Sequence, residues 1–403
     1  VAESEPTTIT FWTFQEIHIK FYETMAEKWN EANPDRQINL ESLALADADI
    51  YSALQIALQS GTGAPDMVDI EINKYQNFLM GDIQLLPLND IVEPELENIV
   101  QSRVNVYSKD GNYYGICFHV GAEVMYYNME ILDEAGVDPA DIKTWDDFYN
   151  YGKIVVEKTG KPMSTIETGD SWTQWPMFSQ AGSDFFDADG NVILDNETNV
   201  EIVTYLQKLL QDGICILSPG GYHHTEEYYG FMNQGGAACI WMPMWYMGRF
   251  TDYMPDLAGK VKIYPAPAWT EGGYRSAVMG GTGTSITNQA KDPELCKEFL
   301  AYCKLSNEGC KEIWTMLGFD PIRIETWSDP IMQEPNIYTE YFDQDVFAVL
   351  LEVKDEFNDI HMNSLSPTME NLLETEGWTR LFVNFEDAQT VLTEIADMIR
   401  AEQ

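Results

Sequence analysis

Thr7-Thr8-Ile9-Thr10-Phe11-Trp12-Thr13-Phe14 is β-branched and aromatic throughout and apolar on both faces, the composition of a strand buried in a parallel sheet. Downstream, Ile17, Phe21, Met25, Trp29 and Ala32 recur at near-fourfold spacing and stop before Pro34, which predicts an amphipathic helix. Ile38 to Leu43 reads as a second strand. Ile50, Ala53, Leu54, Ala57 and Leu58 form the apolar stripe of a second helix, closed by Gly61 and Gly63. Asp66-Met67-Val68-Asp69-Ile70 returns as a third strand. Strands that alternate with helices in this way imply right-handed crossovers, a parallel sheet, and ligands held beyond the carboxyl ends of the strands. Those ends carry Gln15 and Glu16 after the first strand, and Glu71 and Asn73 after the third.

Further along, Gly111-Asn-Tyr-Tyr-Gly-Ile-Cys-Phe-His-Val-Gly-Ala-Glu-Val-Met-Tyr-Tyr-Asn128 begins with a turn at Lys109–Asn112. Tyr113 to Phe118 and Val124 to Tyr127 have strand composition, and Gly121 separates them. Two extended segments joined by glycine suit either a hinge or an ordinary strand pair. Length favours the hinge, because 403 residues exceed the ~250–300 that one core normally serves.

Charge excludes some partners. With 66 acidic and 23 basic residues the formal charge is −43, which repels nucleic acid and anionic lipid. The acidic residues are interleaved with apolar ones and read as a solvated surface. No run of about 18 apolar residues offers a membrane span, and no leader pattern opens the sequence. Cys117, Cys215, Cys239, Cys296, Cys303 and Cys310 contain no Cys-x-x-Cys, so zinc-ribbon and thioredoxin-like sites have no support. The last three recur every seven residues, which places them on one helical face as small buried apolar residues.

The remainder alternates in the same manner. Thr144, with Asp147 three residues on, marks a capped helix start. Ser171-Trp172-Thr173-Gln174-Trp175-Pro176 opens another helix, Asn199 to Leu210 is helical, and Pro293 to Lys304 is a clear helix. Gln333 to Arg400 is mostly helical.

The order of these signals resembles the extracellular solute-binding proteins of ABC importers, in the carbohydrate-binding family that includes the maltose-binding proteins. The resemblance rests on Ile9-Thr10-Phe11-Trp12, Gly63-Ala64-Pro65-Asp66-Met67-Val68, Tyr114-Gly115-Ile116 with Tyr126-Tyr127-Asn128, and Thr144 to Phe148. It continues through Trp175-Pro176, Phe231 with Gly235-Gly236-Ala237-Ala238, Gly280-Gly281 and Lys297-Glu298-Phe299-Leu300.

It implies a two-lobed α/β, periplasmic-binding-protein-like fold. Each lobe would be a mainly parallel sheet flanked by helices, and the chain would cross between lobes near Tyr114–Gly121, Pro265–Gly280 and Phe319–Trp327. The expected division is 1–115 with 270–320 in the N-terminal lobe and 116–265 with 325–403 in the C-terminal lobe. The resemblance also implies a monomer that closes on its ligand and then meets the transmembrane permease subunits of an ABC transporter. It would lie outside the cytoplasm, as a lipoprotein of a Gram-positive cell surface or in a Gram-negative periplasm. The lipid-bearing cysteine would be its membrane attachment, and this sequence does not carry it. One departure is Met242-Pro243-Met244, which stands before Trp245 where the family usually has a glycine.

A sugar offers a face of C–H groups and a rim of hydroxyls, so its site needs aromatic platforms and polar side chains. The resemblance places Trp172 and Trp175 where the family has its platforms. Trp245 is a third candidate. Glu71, Asn73, Gln15 and Glu16 are candidate hydroxyl partners, and His119 and Gly121 could face a ligand at the hinge. Each also has a plainer reading, as core or as solvated loop.

Asp187-x-Asp189-Gly190-Asn191 lacks the closing Glu of a calcium loop and reads as a turn. His223-His224 has no metal-ligand spacing, and Gly281-Thr282-Gly283 is not a dinucleotide loop. No cofactor, metal or catalytic residue is expected. The sequence therefore reads as a non-enzymatic carrier of a neutral saccharide, an oligosaccharide given 11 Trp and 21 Tyr. Its rivals are a glycoside hydrolase, for which no carboxylate pair stands out, and a carrier of a cationic amino acid, peptide or polyamine.

Overall fold

The computed structural model describes residues 5–403, the side chains of residues 47 and 48 excepted. Its strands in chain order are β1 (Thr7–Thr13), β2 (Ile38–Ala44), β3 (Met67–Glu71), β4 (Ser108–Lys109), β5 (Asn112–Tyr113) and β6 (Ile116–Cys117), followed by β7 (Glu123–Asn128), β8 (Ser164–Ile166), β9 (Cys215–Leu217), β10 (Cys239–Pro243), β11 (Val261–Tyr264) and β12 (Thr282–Ile286).

The chain forms two units, one running to Val120 and resuming over Gly280–Met332, the other comprising Gly121–Met279 and Gln333–Gln403. Residues 116–120 stay with the first unit because β6 pairs with β12. Residues 320–332 do so as well, since Arg323 holds Glu95 at 2.7 Å and the Leu305 carbonyl at 2.9 Å. Residues 270–279 belong to the second unit, where Val278 bridges Ala122 and Ser276 donates to the Glu123 carbonyl at 2.7 Å.

In the first unit the sheet order is β2-β1-β3-β12-β6. β1 is parallel to β2 and β3, as right-handed crossovers through the helices Glu16–Ala32 and Asp47–Ser60 require. β12 runs antiparallel to β3 and β6. The sheet is therefore mixed, because β12 belongs to a segment that enters this unit from the other and not through a crossover helix of its own. β1 is buried at Ile9, Phe11 and Thr13 and half-buried between them, so only one of its faces is core. The helix Glu16–Ala32 buries His18, Phe21, Tyr22, Met25, Ala26 and Trp29, and leaves Ile17 exposed. A period counted from Ile17 therefore misses the buried face by one residue at the first turn. His18 goes inside because the carboxylate of Asp69 waits there at 2.8 Å.

In the second unit β10, β7 and β11 form an antiparallel sheet, and β8 and β9 are parallel. Backbone bonds from Ala238 to Pro162 and from Cys239 to Met163 set β10 beside the start of β8. Thr144 caps the helix Trp145–Thr159 in a reciprocal box with Asp147, as their spacing predicts. All six cysteines are free and buried. Cys296 and Cys303 lie on the helix Pro293–Lys304, whereas Cys310 lies on the next one, Asn307–Glu312, beyond a break capped by Ser306. The sevenfold spacing thus does not run along a single helix.

Candidate functional site

Three strands of the second unit, β8, β9 and β10, end in segments that meet. After β8 comes Glu167, then a turn through Thr168, Gly169 and Asp170 to Ser171 and Trp172, ahead of the helix Gln174–Gln180. After β9 the chain loops back, and the carbonyl of Gly221 accepts from the amides of Thr168 and Gly169 at 3.1 and 2.9 Å. The Tyr222 ring lies so close over Gly169 that a Cβ there would sit 2.3 Å from it, so any larger residue would have to push that exposed ring aside. This loop delivers His223 and His224. After β10, Pro243 ends the strand, its carbonyl held by the Tyr126 hydroxyl at 2.7 Å, and the chain turns to present Trp245. Met242-Pro243-Met244, the sequence departure, is thus the end of a strand and the entry to that turn.

The rings form one cluster. Trp172 meets Trp245 edge to face at 5.3 Å between centroids and His224 at 5.8 Å. His224 stacks on Trp245 at 5.4 Å with planes 21° apart. Trp172, His224 and Trp245 are each half-buried, so part of each ring meets solvent. Burial pushes the His224 imidazole down to about 4, which makes it a neutral ring at neutral pH. Its Nε2 has no hydrogen-bond partner.

Carboxylates gather around these rings. Glu167 is fully buried, accepts from the His223 amide at 3.1 Å, and has a second oxygen 3.1 Å from His223 Nδ1 but not aligned for a hydrogen bond. Burial, then the nearby charges of Glu167 and Glu374, push Asp170 up to about 7. Burial, opposed by a hydrogen bond from Ser171 and reinforced by Glu167, pushes Glu374 up to about 7 as well. Ser171 Oγ donates to Glu374 at 3.2 Å and accepts from Trp378 Nε1 at 3.0 Å, which ties the C-terminal helices to the turn carrying Trp172. Aromatic faces beside hydrogen-bond acceptors can stack on a sugar ring and take its hydroxyl hydrogens.

The other sequence candidates fall as follows. Trp175 is only 6 % exposed, donates to Asp184 at 2.8 Å and stacks on Phe185 at 4.7 Å, so its ring is committed to the core. Gln15 and Glu16 are exposed at the start of the helix that follows β1, and Glu71 and Asn73 are half-buried where β3 ends. Half-buried Phe14, Tyr51 and Phe78 stand in a chain of ring contacts there, so the first unit has its own aromatic and polar patch at the strand ends. His119 is buried, packed edge-on against Phe319, and held well below its ordinary range by burial and then by Arg103. Gly121 is buried with φ 66°, and its carbonyl accepts from Met279. Asp187 caps its own turn through Asp189 and Asn191. Among the described residues no cluster of three or more His, Cys, Asp or Glu is placed to hold a metal ion.

Two open grooves of about 540 and 580 Å³ lie around Trp269 with Tyr274 and around Tyr264 with Arg275. Two of their polar side chains are already engaged. The Gln180 amide serves the carbonyls of Pro267 and Tyr274, and Arg275 is paired with Glu356.

Residues 17–306 match the family described as bacterial extracellular solute-binding protein. The chain belongs to this family. It is 51% identical over 370 residues to the arabinooligosaccharide-binding protein of Halalkalibacterium halodurans, covering 92% of this chain and 83% of that one. It is 50% identical over 364 residues to the arabinooligosaccharide-binding protein of Bacillus subtilis, covering 90% and 84%. The fold matches the sugar-binding protein MalE of Xanthomonas citri with a TM-score of 0.80 at 15% identity, over 98% of this chain and 96% of that one. This solute-binding protein is thus an extracytoplasmic component of an ABC importer system and not an enzyme.

The sequence names Trp172 and Trp245 as candidates, and does not name Glu167, Asp170, His224 or Glu374, which the structure places beside them. Asp170 could have been read from its place two residues before Trp172. Glu374 carries no local signal, since it reaches Ser171 across 203 residues.

Proposed function

We propose that this protein captures a neutral arabinose oligomer outside the cytoplasm and passes it to the permease subunits of its importer. One observation carries the reading: about half of the residues are identical, over nine-tenths of the chain, to two arabinooligosaccharide-binding proteins. The cluster of Trp172, His224 and Trp245 supports it with ring faces suited to pentose C–H groups, and Asp170 and Glu374 supply acceptors for hydroxyls. Attachment to a Gram-positive surface through a lipid anchor belongs to the same reading.

Calorimetric titration with arabinose oligomers of increasing length, beside malto- and galacto-oligosaccharides, tests it. The arabinose series should bind at least about tenfold more tightly, a difference of about 1.4 kcal/mol. The recovered ligand should be intact by chromatography. Tight binding of maltotriose with none of arabinotriose would overturn the assignment of cargo.

A further inference from the structure

The acidic side chains around the ring cluster are unusual in their company. Glu167 leaves the end of β8, Asp170 sits in the turn that follows, and Glu374 comes from the C-terminal helices. The charged and titratable groups near them are few. Glu167 has the imidazole of His223 beside it, and His224 is a neutral ring. Arg249, on the helix Met247–Tyr253, acts on His224 and is engaged with the Tyr229 side chain. Asp170 is surrounded by Glu167 and Glu374, and Glu374 by Glu167, so their charged neighbours have their own sign.

A second feature is independent of the charge. Gln174 is fully buried, and its Nε2 donates to the Glu167 carbonyl at 2.8 Å. Its Oε1 is left without a partner. A buried acceptor without a donor is destabilising, and a donor supplied by a ligand relieves it. Here it stands beside Glu167, with His224 Nε2 also unpartnered at the rings. Gln174 Oε1 is thus left over as an acceptor, suited to a ligand that brings hydroxyl donors.

We infer that Glu167, Asp170 and Glu374 make this a charge-selecting site, one that admits neutral sugar rings and refuses rings carrying a carboxylate. The inference rests on the proposed saccharide function and adds which saccharides are excluded. Placing a like charge in a half-buried site costs far more than at an open surface, because water screens it less. Oligomers that place a uronate at this cluster would then be rejected, while neutral ones pass. Because Asp170 and Glu374 carry protons into the neutral range, the rejection should weaken as the medium acidifies.

The test uses three forms of one ligand: arabinotriose, the same trimer with its primary hydroxyls oxidised to carboxylates, and the methyl ester of that product. The ester matches the acid in shape and lacks its charge. Titrating the whole protein at pH 8 should show the ester, equal to the acid in size, binding at least about tenfold more tightly than the acid itself. The ratio should narrow at pH 5.5, where the ligand is still ionised. It should also narrow at pH 8 in the Asp170→Asn, Glu374→Gln double variant, whatever that variant does to absolute affinity. Equal binding of acid and ester at pH 8 overturns the charge selection and leaves the saccharide function standing. Failure of arabinotriose itself to bind the folded protein overturns the function, and this inference with it.

Discussion

Each unit buries ionisable groups, and the two do so in opposite ways. In the first unit Asp69 accepts from Thr13 at 2.7 Å and from Thr284 at 2.6 Å, and faces His18 at 2.8 Å. Lys304 donates to Thr284 at 2.5 Å and to the Ile116 carbonyl at 2.8 Å, and lies 3.3 Å over the Phe118 ring. Burial would push Asp69 up, but His18, Lys304 and the hydrogen bonds hold it below the ordinary carboxylate range. Burial brings Lys304 down to about 8 against the pull of Asp69. Each charge of this group has a counter-charge within it, and the group is closed. In the second unit Glu167 has the His223 imidazole beside it, but among the described residues Asp170 and Glu374 have only Glu167 and each other as charged neighbours; Trp172 and Ser171 each give them a hydrogen bond, and Gln174 Oε1 nearby stands unused. A closed network fixes a core, whereas an open one of like sign stores free energy that a ligand can relieve.

The contrast breaks first at Asp69. Asp69→Ala leaves His18 and Lys304 buried without their anion and should cost about 3–5 kcal/mol, seen as a lower denaturant midpoint. Glu374→Ala, on the other side, should change stability by less than about 1 kcal/mol, because it removes a charge whose neighbours repel it. Equal losses from the two would erase the distinction between the units.

The two tryptophans of one turn carry the same contrast at smaller scale. Trp172→Ala should weaken binding of the arabinose oligomer by roughly 5- to 150-fold, from about 1–3 kcal/mol of ring burial, with a small loss in melting temperature. Trp175→Ala removes a ring stacked on Phe185 and should cost about 3–5 kcal/mol of stability, with affinity in the folded fraction little changed. Measuring both quantities for both variants would expose a wrong division of labour.

What the sequence made legible was local. The three opening strands, the capping box of Thr144 and Asp147, and the helix Pro293–Lys304 all follow from spacing and cap chemistry within a few residues. What it hid depended on distant partners. His18 rather than Ile17 is buried because of Asp69, 51 residues away. Trp175 is held inside by Asp184 and Phe185, which lie past the end of its helix and leave no trace in its periodicity. The aromatic half of the candidate site was readable because Trp172 stands at a helix entrance. Its acidic half was not, because Glu374 arrives from the far end of the chain.

The smallest effect is also the one whose sign separates the units. Asp69 is held below the ordinary range in the folded protein, so its stabilisation is present above the unfolded value and is lost as pH falls. Asp170 and Glu374 are raised to about 7, so between about 4 and 7 the folded protein holds protons that the unfolded chain has released. Stability must then fall as pH rises through that window, and the loss is complete above it. Glu374→Gln cannot titrate and escapes the loss. Relative to the unsubstituted protein its melting temperature should rise between pH 5 and pH 8, by about 1–3 °C once the partial exposure of Glu374 is allowed for. The comparison must be made without sugar, since a bound ligand adds its own linkage. A melting temperature that instead fell relative to the parent on going to pH 8 would mean that Glu374 is stabilised as an anion, as Asp69 is. The second unit's carboxylates would then form a closed network like the first unit's, and the physical case for an open, ligand-seeking site at Trp172 would be lost.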